Sequence, residues 1–234
     1  MANPAKFSIG DTLQALRVAL EKDRSLIVRL TVLFAALNAA SNLLDFTGPA
    51  GFAVSTGILV LLGSIYGGLI TALICLPGRT ESVGELWEVV RPVLARLVWV
   101  TLITAVGVVL GCLALILPGL FLFTIWSVGA QTVVVERTGV FDALTRSFEL
   151  VRDHAWRVFL YLLALALLSL LMVALALLVS LPLGTGMIGT SIATFLANAL
   201  TAPIFVGGSA VLYSGLAALE QPDEPEEQDP FATH

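Results

Sequence analysis

Six long apolar runs, at 26–44, 52–76, 97–116, 120–135, 158–181 and 187–216, leave this chain few ways to fold. A helix needs about 20 such residues to cross a hydrocarbon core of roughly 30 Å. The composition follows from them: 58% of the 234 residues are hydrophobic and 12% are charged. Soluble domains carry about 25% charged residues, and a chain this small has no core large enough to hide so much apolar surface. Lipid must solvate much of it. The predicted fold class is all-α, a polytopic membrane protein with six transmembrane helices over 1–219, followed by an acidic tail over 220–234. Pro203 inside the sixth run predicts a kink or tilt there.

The placement of positive charge orients the runs. All twelve Lys and Arg fall in three clusters: Lys6, Arg17, Lys22, Arg24 and Arg29; Arg79, Arg91 and Arg96; Arg137, Arg146, Arg152 and Arg157. The connections at 45–51, 116–119 and 181–187 have none. Cationic loops are retained in the cytoplasm, so the bias predicts a multi-pass protein of a prokaryotic cytoplasmic membrane with both termini inside. An uncleaved first span is preferred to a signal peptide, because 26–44 exceeds a usual signal core and follows a long charged segment. The net charge of −5 reflects six acids within 220–229; the other eleven nearly balance the twelve bases. No basic surface points to nucleic acid. Cys75 and Cys112 fall at opposite depths, beyond disulfide reach, and are expected to be buried free thiols.

The runs pair up, each pair preceded by a short amphipathic segment. The segments open at Ser8-Ile9-Gly10-Asp11, Ser82-Val83-Gly84-Glu85 and Gly139-Val140-Phe141-Asp142. The first two read as capping boxes; the third keeps the acid but replaces serine with glycine, a weaker cap. In the third segment Asp142, Arg146, Glu149 and Asp153 form a polar face, and Val140, Leu144, Phe148 and Val151 an apolar one. Such helices lie in the membrane interface. Pro/Gly turns at 48–51, 117–119 and 181–184 join the spans of each pair. The predicted unit, interfacial helix, span, turn, span, is used three times.

Leu117-Pro118-Gly119, then Glu136, Gly139, Ala143-Leu144, Arg146-Ser147, Leu150 and Trp156-Arg157 go beyond patterning. This stretch resembles the membrane domain found in some glycerophosphoryl diester phosphodiesterases and in small stand-alone bacterial membrane proteins. The likeness is clearest over 114–160, and weaker at 7–10 and 203–213. It implies a six-helix prokaryotic membrane module. It does not imply hydrolysis, which in that family belongs to a separate soluble barrel with a His-Arg-Gly motif and metal-binding carboxylates. Here His154 precedes Ala155 and the other histidine is His234. Relatives often end in a Tyr-Asp-Leu-Arg-like run, whereas Tyr213 is followed by Ser214-Gly215-Leu216.

The candidate site is a collar at headgroup depth: Glu136, Arg137, Arg146, Ser147, Arg152 and Arg157. Guanidinium matches phosphate bidentately, which suits lipid headgroups, although retention charges and local ion pairs need no ligand. Gly63, Gly67, Gly107, Gly111, Gly207 and Gly208 are expected to let helices pack closely, within the bundle or between copies. Asn38, Asn42, Gln131 and Asn198 are expected to bond across helices. No span carries a charge near its midplane, which counts against proton coupling and voltage sensing. No P-loop, HExxH, CxxC or Gly-x-Ser-x-Gly occurs. The expected function is therefore a non-catalytic module without cofactor or metal that engages membrane lipids or partner proteins, a second copy included. A small permease or lipid-translocating protein, and an accessory subunit of a membrane complex or ABC system, are the alternatives.

Overall fold

The computed structural model describes residues 9–41, 48–76, 82–184 and 186–220. The first serine cap, Asn42 and the segment 221–234 lie outside them. The described chain is helical throughout: α1 (Ile9–Lys22), α2 (Arg24–Ser41), α3 (Gly48–Cys75), α4 (Val83–Val90), α5 (Leu94–Ala114), α6 (Ile116–Ile125), α7 (Gly129–Val135), α8 (Val140–Arg152), α9 (Ala155–Ser180) and α10 (Met187–Glu220). Six helical segments are long and apolar enough to cross a membrane: α2, α3, α4–α5, α6–α7, α9 and α10. The amphipathic α1 and α8 each come just before two of these segments, whereas the amphipathic α4 is itself the start of the third.

Local chemistry explains the boundaries. The Ser82 hydroxyl accepts from the Glu85 amide at 3.3 Å and starts α4, the serine half of the expected capping box. Gly139 starts α8 without a side-chain cap. Pro92 turns the chain through one 3-10 turn (Arg91–Val93) into α5. Gly48, at the start of α3, and Gly184, after the 3-10 turn Leu181–Leu183 that follows α9, have φ of +75° and +76°, where a Cβ would be strained. The second Pro/Gly turn differs from expectation. It is a single extended residue, Leu115, and Pro118 sits in the first turn of α6, where its missing N–H removes no helical bond.

That tight α5–α6 hairpin rests on small residues. A methyl added at Gly111 would stand 2.8 Å from Gly119 Cα, and one at Gly119 would stand 2.6 Å from the Cys112 amide nitrogen. At Gly107 the Trp126 ring occupies the methyl's place, at 2.5 Å. Gly207 receives Leu16 and Leu20, and Gly208 receives Leu165. Gly63 and Gly67 do not behave this way, since nothing lies within 4 Å of a methyl on either. The close approach on α3 is at Gly68, one residue round the helix, where a methyl would come 2.8 Å from Val90.

α10 is the central post, packed on α9, α2, α3 and α1. One core surrounds Tyr66, Ile70, Leu86, Leu97 and Val133; a second surrounds Tyr161, Leu162, Leu165 and Leu212. Outside them the helices are bare hydrocarbon. In α9, Leu167, Leu170, Leu171, Leu177 and Leu178 are all more than half exposed. At about 1.5 Å per residue, α10's 34 residues rise about 51 Å and outreach a bilayer core of roughly 30 Å.

Polar groups inside the spans are mostly partnered. The Thr31 and Tyr66 hydroxyls meet at 2.9 Å, Gln131 Nε2 donates to Ser209 at 2.8 Å, and Tyr161 donates to the Gly208 carbonyl at 3.1 Å. Asn38 and Asn198 depart from expectation: each donates back to the carbonyl four residues earlier in its own helix. Cys112 is exposed rather than buried, and Cys75 is half-buried beside Ser214; both are free thiols.

The candidate collar and its Arg146 network

The fourth span is broken, and the break organises the collar. Trp126–Val128 carry the chain from α6 to α7 through i→i−3 bonds, including Gly129 N–H to the Trp126 carbonyl at 3.2 Å. That leaves the Ile125 carbonyl and the Val128 amide outside the helical ladder. Ser147 of α8, fully buried, serves both: its hydroxyl donates to Ile125 O at 2.8 Å and accepts from Val128 N at 3.3 Å. A broken helix at membrane depth survives only where its freed backbone groups find such partners. Thr132 adds a second stitch, donating to the Ala143 carbonyl at 3.3 Å. The sequence-predicted Ser147 is thus a structural peg, sealed from any ligand.

The α7–α8 link bends at Arg137, whose φ is +56° and whose carbonyl accepts from Arg96 Nη1 at 3.0 Å. The link delivers Glu136 and Arg146 to each other. Arg146 Nε lies 3.3 Å from both Glu136 oxygens. Its Nη1 donates to Glu220 at 2.9 Å, and its Nη2 bonds the other oxygen of Glu220. Glu149 stands 3.7 Å away. Tyr213 of α10 donates to Glu136 at 2.8 Å. Arg146 is 27% exposed, and its pKa is raised, first by the hydrogen bond to Glu220 and then by the carboxylate charges, against the opposing effect of burial. It stays charged at every physiological pH.

This geometry divides the expected collar. Glu136 and Arg146 pair with each other and tie the end of α7, α8 and α10 together. Arg152, six residues on, points about 120° away round the helix; it is exposed, 3.6 Å from Asp153. Arg157 is half-buried at the start of α9, and Arg137 is exposed. The buried face of α8 is Ala143, Leu144, Ser147, Leu150 and Val151. Phe148, expected on that face, is instead 38% exposed, with Phe141 at 76% and Trp156 at 69%. Phe141 and Phe148 line one surface pocket with Trp126, and Trp156 stacks on Phe159 with ring centroids 5.6 Å apart. Glu220, assigned by sequence to the tail, closes α10 inside the network. No local pattern marks Glu220 or Tyr213, because each meets its partner across more than seventy residues.

No protein-family model, curated protein or solved structure matches this chain.

Proposed function

We propose that the chain is a non-catalytic module of a prokaryotic cytoplasmic membrane, of the kind attached to glycerophosphoryl diester phosphodiesterases, and that its collar engages membrane lipids. The observation that supports this is the exposure of Phe141, Phe148 and Trp156 in the same stretch of α8 and early α9 that carries the exposed Arg152 and the half-buried Arg157. Aromatic rings favour headgroup depth, and each interfacial arginine adds about 1 kcal/mol of attraction to an anionic leaflet. Arg146, which has three carboxylates around it, contributes rigidity rather than attraction. Partner contact through the same face, and origin of the three helix–span–span units by duplication, are part of the same reading.

The charge bias places α1, α4 and α8 on the cytoplasmic side. In a background lacking Cys75 and Cys112, Leu115→Cys and Met187→Cys are expected to react with an impermeant maleimide only from outside, and Glu88→Cys only from inside. Inside-only labelling of Leu115→Cys overturns the topology.

For the collar, Arg137, Arg152 and Arg157 replaced together by Gln are expected to lower co-purifying anionic lipid several-fold in native mass spectrometry. Helical content should not change. The parent protein should hydrolyse no glycerophosphodiester. Unchanged lipid retention combined with solute flux in vesicles would transfer the assignment to a permease.

A further inference from the structure

A large groove among the described residues is unrelated to the third cationic segment. It lies between α1, α2, α9 and α10, with a volume of about 590 Å³. That is within the range of roughly 300–1,000 Å³ of small-molecule sites. Its walls are aliphatic: Leu13, Leu16, Leu20, Ile27, Val28 and Ile204 among them. α10 contributes Ala199, Pro203 and Ile204 to its lining, and α9 contributes Leu168. Its polar lining is concentrated at the α1–α2 junction, where Arg17, Glu21 and Arg24 form a rim. Val28 and Val32, about half exposed, leave the groove open along α2.

The rim is cationic and underused. Glu21 takes only the Nε–H of Arg17, at 2.9 Å, and the pair is largely exposed. A guanidinium has five N–H donors, so both Nη groups of Arg17 remain for another acceptor. Arg24 stands beside them with one acid between two bases. Arg17 and Arg24 belong to the first cationic cluster, so the rim lies at the depth of the cytoplasmic headgroups if the charge bias is read as above. Leu16 and Leu20, which touch Gly207, carry the apolar wall beneath it.

We propose that this groove holds an anionic glycerophospholipid of the inner leaflet, its phosphate on Arg17 and Arg24 and one acyl chain along Val28, Ala199 and Ile204. Charge complementarity selects the occupant: an apolar trough under a net positive rim matches a molecule with an anionic head and a hydrocarbon tail. Guanidinium forks donate bidentately to phosphate oxygens, which fixes the head while the chain fills the trough. The assignment rests on the reading that the module engages lipids, and gives that reading a second address, on α1 and α2, distant in sequence from α8.

The test uses the full chain in nanodiscs containing phosphatidylglycerol with a diazirine on the acyl chain. After photolysis, cross-links on residues 13–32 and 199–204 are expected to exceed those on the equally exposed 170–178 of α9, which does not line the groove. Arg17→Gln with Arg24→Gln should lower groove cross-linking about tenfold, the size expected of one to two interfacial cations, while α9 labelling holds. Ala199→Leu, which fills the trough, should do the same. Should Ala199→Leu disturb folding, Val28→Trp at the open side supplies the same block. Even labelling of both surfaces, or equal labelling by the phosphatidylcholine analogue, overturns the proposal. Labelling that rises only after removal of residues 2–8 also overturns it, by giving the groove to the chain's own N-terminus. An intact collar effect without groove labelling sinks the groove alone; groove labelling without a collar effect sinks the collar alone; loss of both sinks lipid engagement itself.

Discussion

Leu144→Asp is expected to lower the melting temperature in detergent by roughly 10 °C, whereas Phe148→Asp, one turn further along the same helix, should lower it far less. Leu144 is 7% exposed and packs in the core with Val133 and Val100, one turn from the Ser147 peg. A carboxylate placed there has no cation to meet, and an uncompensated buried charge costs on the order of 3–5 kcal/mol. Phe148 stands at the outer surface with Trp126 and Phe141, where an added carboxylate remains hydrated and costs about 1 kcal/mol. Size-exclusion chromatography after a heating series reads both. Equal losses for the two variants would mean that α8 docks through the whole apolar face, and that the Ser147 register is wrong.

The contrast shows where sequence reading stops. Leu144 and Phe148 share a helical face by periodicity, and in water both would be buried. A membrane protein has two apolar surroundings, its core and the lipid, and hydropathy does not separate them. Ala143 and Ser147, which the amphipathic pattern passes over, are as fully buried as Val151, which it picks out, and both bond to the fourth span at or beyond its break. The break itself left no mark: Trp126-Ser127-Val128 contains neither Pro nor Gly, and its cause lies in a hydroxyl supplied twenty residues later. The six spans were legible for the opposite reason, since each rests on its own apolar length and on no distant partner. The glycines sit between these cases. Gly107 and Gly111 pack as their spacing suggests, while Gly63 and Gly67 have the same spacing on a face with nothing to pack against.

Arg146→Gln is the second large effect expected, and its sign is opposite to that of an arginine kept for lipid. The substitution leaves Glu136, Glu149 and Glu220 around a neutral amide and removes the tie between α8 and the end of α10. Hydrogen bonds to charged groups contribute about 1.5–3 kcal/mol each when buried, but these groups are 27% to 50% exposed and partly screened. The expected net loss is about 2 kcal/mol, several degrees of melting temperature. Arg146→Lys should recover less than half of it, because an ammonium cannot present the fork that meets both Glu220 oxygens while also reaching Glu136. Glu220→Gln alone should cost less than Arg146→Gln, and the two together should cost less than their sum, with a coupling of about 1 kcal/mol. The coupling should shrink as salt is raised from 0.05 to 0.5 M, since both side chains touch solvent. Strict additivity, or a stable Arg146→Gln protein that has lost its anionic lipid, would show that Arg146 faces the bilayer and that α10 is not clamped at Glu220.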